Sequence, residues 1–562
     1  MSAPQSRRTG GQVLIDQLLI HGVDMAFGVP GESYLAALDA LYEARNRIRF
    51  ITCRQEGGAC NMAEAYGKLT GRPGICFVTR GPGTTNASIG LHTAYQDSTP
   101  LLLLIGQVAR DQAEREAFQE VDYRRMLGPL TKWVAEIDDA RRIPELVSQA
   151  FHRATSGRPG PVALALPEDM LTELVETADA GPYSPVQAYP APADLERMAT
   201  LLASAKRPLM IVGGGGWSKE SAADITSFAE ANSLPVGAAF RRQDIIDNLS
   251  PSYVGDVGIG INPKLADRVT GCDVLLVVGA RLGEMTTGGY TLVDIPRPHQ
   301  TLIHIHAGAE ELGRVYQPAL AINAGMAAFA GAARALPAVT APAWRDWTAA
   351  ARADYLAHIE VPRVPGPVQM GEIVAFMRKR LAPETILVNG AGNYSTWLHR
   401  FYTYRGFRTQ LAPTSGAMGY GVPAAVAAKA VHPDRPVISW NGDGCFMMNG
   451  QELATAVQHG LAVVFVVVNN GMYGTIRMHQ ERHYPARTIG TDLVNPDFAA
   501  LARAYGAQGE TVTRTEEFAP ALERALAAGK PALIEIRLDP EAITPRQTLS
   551  QIRASGLKAK GR

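Results

Sequence analysis

Residues 435–475, RPVISWNGDGCFMMNGQELATAVQHGLAVVFVVVNNGMYGT, decide the fold. Val437 to Trp440 is one apolar run and Leu461 to Val468 a longer, β-branched one, while Glu452 to His459 between them carries helix-forming residues stopped by Gly460. Continuous apolar runs joined by a helix read as parallel strands covered on both faces, and such sheets bind ligands at the carboxyl ends of their strands. Asp443 follows the first run and Asn470 closes the second, twenty-seven positions on. Two such oxygen ligands can converge on one hard cation, Mg²⁺ or Ca²⁺. Gly442 and Gly444 flank the aspartate, so a phosphate can approach the backbone and the amino end of the following helix. Taken singly, the aspartate reads equally as a helix cap and Asn-Asn-Gly as a turn; the combination carries the argument.

Composition bounds the rest. The chain has 562 residues, 46% hydrophobic and 19% charged, enough for three or four α/β domains with ample core. Lys plus Arg equals Asp plus Glu at 54 each, which gives no sign of a nucleic-acid or anionic-membrane surface. Five cysteines without CxxC spacing argue against a disulfide framework or structural zinc and fit a reducing cytoplasm. No apolar run approaches the roughly 20 residues needed to span a bilayer, and the polar start carries no secretion signal.

Read in order, a short polar arm leads into a helix over Gln12 to His21. A strand over Ala26 to Gly31, a strand over Phe50 to Cys53, a helix from Ala59 to Leu69, a strand over Gly74 to Thr79 and a loop RGPGTTN follow. Alternating β and α units predict doubly wound parallel sheets. The expected division is 1–185, a central α/β domain 193–335, an Ala- and Pro-rich linker 336–367, a third α/β domain 368–540 and a frayed tail 541–562. GGGGWS at 213–218 lacks the spacing of a dinucleotide fingerprint.

The Gly-Asp-Gly and Asn-Asn pair resemble the diphosphate and metal motif of thiamine-diphosphate enzymes. GVPGE at 28–32, RQEGGACNMAEAYGKLTG at 54–71, GPGTTN at 81–86, YQDSTPLLLLIGQV at 95–108 and AFQE at 117–120 are similar to the acetolactate synthase and pyruvate oxidase branch, over nearly the whole chain. The resemblance implies three α/β domains (pyrimidine-binding, middle and diphosphate-binding) and a cytoplasmic enzyme acting on a 2-oxo acid, pyruvate first, with carboligation to a second carbonyl. It implies Mg²⁺ held by Asp443, Asn470 and the Met472 carbonyl. Glu56 would activate the pyrimidine N1′, Pro82 and Asn86 would border that ring with Pro30 nearby, and Gln119 would face the reacting centre. In SGAMGYGVPAA at 415–425, Gly416 would accept from the cofactor's amino group and Met418 would hold it bent. Cys445, Tyr473 and Gly474 complete the pocket, and Asn393 and Tyr394 stand where synthases carry Gln-His-Gln. A homodimer is implied as the smallest unit, with a tetramer expected and neither nucleic acid nor membrane as partner.

The likeness thins in places. GARLGEMTTGGY at 279–290 matches the flavin stretch of synthases for three residues and lacks its later Arg, so FAD is doubtful. His479 stands where synthases select the second substrate with Trp. His92 reads as a core or interface histidine, and His479 and His483, with Arg477, Arg482 and Arg487, as a mobile segment that is either solvated or meets an anionic substrate. The alternatives are a 2-hydroxyacyl-CoA lyase, for which Lys558, Lys560 and Arg562 would supply a basic tail, another 2-oxo acid decarboxylase or oxidase, and a non-catalytic regulatory paralogue.

Overall fold

A computed structural model describes residues 7–561; of the basic tail residues, Arg562 lies outside them, as does the start of the polar arm. Three six-stranded sheets form the frame, and every strand pairing within them is parallel. The first sheet runs in space Arg49–Thr52, Met25–Gly28, Gly74–Val78, Leu101–Gln107, Pro161–Pro167, Trp133–Glu136. The third repeats this order of connection: Gln410–Leu411, Ile386–Asn389, Val437–Gly442, Val464–Asn469, Ala532–Arg537, Gln508–Val512. The middle sheet is wound differently, with Pro208–Val212 and Val274–Val278 adjacent at its centre.

Burial explains why these segments are strands. Leu101–Gln107, Val274–Val278 and Val437–Gly442 are buried at every position, as strands covered on both faces must be. In sheets one and three, the chain order reverses between the first and third strands. Loops at the carboxyl ends of those two strands separate there and leave a crevice. The residues that follow them, Pro30 and Thr79–Pro82 in the first sheet and Gly390–Asn393 and Gly442–Asp443 in the third, therefore border crevices of the same kind.

The chain divides into two compact units. One is the chain up to Val186 with Pro423–Val431 and Ala454–His459; the other comprises Gln187–Val422, His432–Leu453 and the chain from Gly460. Within the second, buried polar groups join the middle and third sheets: Gln243 N donates to Gln410 Oε1 at 2.8 Å, Gln410 Nε2 returns to Gln243 Oε1 at 3.0 Å, and Asn248 and Tyr404 exchange two bonds at 2.8 and 2.9 Å.

Several elements depart from the sequence reading. The helix expected from Ala59 begins at Glu56, because Gln55 accepts from Gly58 N at 2.9 Å and caps a Gly-Gly start of poor propensity. RGPGTTN is the first turn of the helix Gly81–Asp97, not a loop, since proline is tolerated in a first turn. Arg8–Thr9 of the supposed arm pairs with Leu174–Val175. The supposed linker contains the helix Arg345–His358, preceded by fully buried Trp344. The tail is not frayed: Leu549–Ala559 is a helix with Leu549 and Ile552 buried, laid along the helix Gly474–His483, which replaces the expected mobile segment. Arg553 pairs with Glu481, 1% exposed, and pulls its carboxyl below the usual range.

Gly556 lets these two helices touch: a Cβ there would lie 2.6 Å from Glu481 O and 2.8 Å from Arg482 O. Gly556→Ala is expected to cost about 1–3 kcal/mol by overpacking, read as a lower denaturation midpoint, with hydrogen exchange rising first over 549–559.

Candidate active site

The first unit holds one group of the predicted residues. Glu56 opens its helix, and Asn86, one helix over, donates through Nδ2 to Glu56 Oε2 at 2.9 Å. Gly83 is needed beside them, because a Cβ would come 2.9 Å from Thr79 Cγ2 and 3.4 Å from Glu56 Oε1. Pro82 lies in the same first turn. Gln119 has φ 66° and reaches this turn through its backbone, its carbonyl accepting from Gly81 N at 3.0 Å. Its loop is pinned by Glu120, whose carboxylate accepts from Glu114 N at 2.6 Å and Ala117 N at 2.9 Å. Glu120 was not singled out in the sequence, although an acidic side chain amid strained backbone is a loop-pinning signal. Pro30, exposed, follows the adjacent strand Met25–Gly28. His92 is also exposed in this chain, which removes the core reading.

In the second unit, all the third-domain candidates line one cavity of about 240 Å³: Asn393, Tyr394, Gly416, Met418, Gly442, Asp443, Gly444, Cys445, Asn470, Met472, Tyr473 and Gly474. Asp443 is the centre. It is the first residue of a short helix, Asp443–Asn449, that the sequence reading missed, and it is 3% exposed. Oδ1 accepts from Gly444 N at 2.8 Å, and Oδ2 from Gly471 N at 2.9 Å and Asn495 Nδ2 at 2.8 Å. Burial pushes its carboxyl above the usual carboxylate range, and these hydrogen bonds oppose that rise.

The two asparagines of NNG divide the work. Asn469 is tied down, donating to Glu535 Oε1 at 2.8 Å and accepting from Asn495 at 2.9 Å, whereas Asn470 faces the cavity. Asn495 was not found in the sequence. It lies in NP, which reads only as a turn, and the tertiary return of residues 491–495 over Gly471–Tyr473 brings it to Asp443.

The glycines are cut to fit. A Cβ on Gly442 would lie 2.6 Å from Tyr394 Cδ1, and one on Gly444 2.5 Å from Tyr473 Cε1. Tyr394 Oη donates to Cys445 Sγ at 3.1 Å, and Gly419 N to the same sulfur at 3.2 Å, so this buried thiol is an acceptor in the floor rather than a nucleophile. Met418 packs against the core edge and Gly416, at φ 69°, stands open beside it.

A buried carboxylate is a group whose charged form a nearby cation would favour. Asp443, Asn470 and the backbone at Met472 form an oxygen donor set suited to a hard divalent ion. Two glycines beside them leave backbone exposed to an anion, and apolar Trp397, Val468, Leu538 and Ile543 close the remainder. A diphosphate with its cation fits this donor set. Among the described residues no group of three or more His, Cys, Asp or Glu is placed to hold a metal ion together.

Comparison with known proteins agrees. The family described as "Thiamine pyrophosphate enzyme, C-terminal TPP binding domain" matches residues 390–536, its N-terminal TPP binding domain matches 8–126 and its central domain 195–332. The acetolactate synthase large subunit of Parasynechococcus marenigrum is 32% identical over 96% of this chain and 88% of its own length. That of Corynebacterium glutamicum is 31% identical over 93% and 86%, and the isozyme 2 large subunit of Escherichia coli 29% over 94% and 95%. With the parallel-sheet frame and the Asp443 cavity already described, these matches place the chain in the thiamine pyrophosphate enzyme family, as a thiamine-diphosphate-dependent, acetolactate synthase-like enzyme.

Proposed function

We propose that this enzyme, with thiamine diphosphate and Mg²⁺ bound, decarboxylates a 2-oxo acid, pyruvate first, and joins the resulting acyl unit to a second carbonyl. The observation that carries this is the convergence of Asp443, Asn470 and Met472 in one cavity between Gly442 and Gly444, together with relatives named acetolactate synthase.

When bound, the cofactor supplies an electron sink for the charge left by decarboxylation. The chain's own residues do the rest. Asp443, Asn470 and the Met472 carbonyl would hold the cation, with Asn495 fixing the aspartate. Glu56, oriented by Asn86, would supply the carboxyl that holds a proton for the cofactor's pyrimidine. Gly416 and Met418, which line the Asp443 cavity, would contact the bound cofactor. Gln119, in its pinned loop, would approach the reacting centre, and the apolar walls of the Asp443 cavity would keep water away. Flavin has no part in this reading.

A homodimer is proposed as the working unit, with a tetramer as further assembly, in a reducing compartment. Ile89 at 40%, Phe118 at 71% and Met447 at 49% exposure lie on the very elements that carry the site, and all five cysteines are free. No helix among the described residues is long and apolar enough to cross a membrane. The acyl-CoA alternative has less support, because Lys560 sits over the Tyr484 ring at 4.7 Å within the docked tail. A regulatory paralogue would not need Glu56, Asp443 and Asn470 together.

Incubation with thiamine diphosphate, Mg²⁺ and pyruvate is expected to release CO₂ and form acetolactate; cofactor binding without any turnover of a 2-oxo acid would refute the reading. Glu56→Gln should retain the cofactor and lose about 10²–10⁴ in turnover, checked by steady-state kinetics beside a cofactor-binding titration. Asn495→Ala, which removes a donor from Asp443, should weaken Mg²⁺ affinity by about 10–100-fold, measured by the Mg²⁺ dependence of cofactor retention; unchanged affinity would remove Asn495 from the site.

A further inference from the structure

A second cavity, of about 440 Å³, lies in the same unit, walled by residues of the middle domain, the helices Arg345–His358, Tyr394–Phe401 and Gly474–His483, and the turn Thr544–Gln547. Its charge is one-sided. Arg400, Arg482, Arg546, His358, His399 and His479 line it, against one carboxyl, Asp256.

Two of these cations, half-buried Arg400 and Arg546 on a surface turn, lack acidic partners among the described residues. Arg400 Nε donates to the His358 carbonyl at 2.9 Å, and Arg546 Nη2 to the carbonyls of Gly260 at 3.2 Å and Ile261 at 2.8 Å. Neither pairs with a carboxylate among the described residues. Burial, then repulsion from Arg546, lowers Arg400 to about 10, and burial with both arginines lowers His358 to about 4. Two unneutralised guanidinium groups held together at this cost mark a place for an anion. Asp256 does not oppose one: its Oδ1 is buried without a hydrogen-bond partner, and burial pushes its carboxyl up to about 8, so at neutral pH it offers a hydroxyl.

This cavity shares a wall with the cofactor cavity. Asn393 and Thr475 line both and are locked together, Asn393 N donating to Thr475 Oγ1 at 3.0 Å and Thr475 Oγ1 to Asn393 Oδ1 at 2.9 Å. An anion at Arg400 and Arg546 would thus sit in a chamber that shares Asn393 and Thr475 with the cofactor cavity. We propose that this cavity receives the second carbonyl compound and that this acceptor bears a carboxylate or phosphate remote from its carbonyl, bound by Arg400 and Arg546. The inference rests on the carboligase reading above.

The test uses the full-length enzyme loaded with thiamine diphosphate and Mg²⁺. Calorimetric titration with inorganic phosphate and with succinate asks whether the site takes an anion and which kind. Pyruvate as donor is then offered acetaldehyde, succinic semialdehyde or glyceraldehyde 3-phosphate as acceptor. At least one remote-anion acceptor should show a KM about tenfold below that of acetaldehyde. Arg400→Gln and Arg546→Gln should each raise that KM, and the dissociation constant of the matching probe, by about tenfold or more, with kcat and the donor KM little changed. Arg546→Lys, on a surface turn, should recover part of the loss and guards against a misfolded Arg400 variant. No preference for a charged acceptor, or probe affinity indifferent to both substitutions, overturns the proposal even in an enzyme active on pyruvate. If pyruvate is not turned over while phosphate or succinate binds and is lost in both variants, the anion site stands and the carboligase reading falls.

Discussion

A carboxylate buried at the end of a β-strand is costly, and the architecture around Asp443 answers that cost. Its two oxygens take hydrogen bonds from Gly444, Gly471 and Asn495, which are contributed by a helix start, a strand end and a returning loop. Each donor has its place only because another constraint supplies it. Gly444 must be glycine for Tyr473 to pass, Gly471 adopts φ 66°, and Asn495 arrives through the backbone pairing of Met472 with Asp492. With those groups in place the aspartate presents one face to the cavity, where Asn470 joins it.

The repeated winding of the first and third sheets gives this arrangement a counterpart. In both, the strand order reverses between the first and third strands, and chemistry-bearing residues follow those strands or their neighbour. The outcomes differ because the loops differ. The third sheet ends in a cavity lined by glycines and by the oxygen-bearing side chains of Asp443 and Asn470. The first places a single carboxylate, Glu56, at a helix start and orients it with Asn86. The middle sheet, wound in another order, contributes through the second unit: its Gln243 and Asn248 lock onto the third-domain segments around Gln410 and Tyr404. That lock is built from buried amide pairs, which tolerate little displacement because each broken bond would leave a desolvated partner. Gln243 of that lock also lines the basic cavity beside Asn393.

Much of this was legible in the chain itself. Fully apolar runs of four to eight residues could only be strands covered on both faces, and their alternation with helices implied parallel sheets. The places of Asp443 and Asn470 just past the ends of two strands, and of Glu56 after another, could be read from the chain, because backbone geometry at those points is local. Local signals failed where another segment supplied the missing stabilisation. The helix start at Glu56 was hidden behind two glycines, and the helix Arg345–His358 behind an Ala- and Pro-rich neighbourhood. The tail helix was masked by polar composition, since what holds it is burial of Leu549 and Ile552 and the Arg553–Glu481 pair.

The sequence by itself determined the class of fold and the spacing that sets Asp443 and Asn470 just past the ends of neighbouring strands, because strand pairing and side-chain chemistry depend on short stretches of chain. Only the tertiary structure decided that Asn495 steadies the aspartate, that Asn469 is bound to Glu535 while Asn470 is left to the cavity, and that Arg400 and Arg546 share one chamber. Those relations join residues tens to more than a hundred positions apart, and no local pattern of polarity records which distant groups will be brought within hydrogen-bond reach.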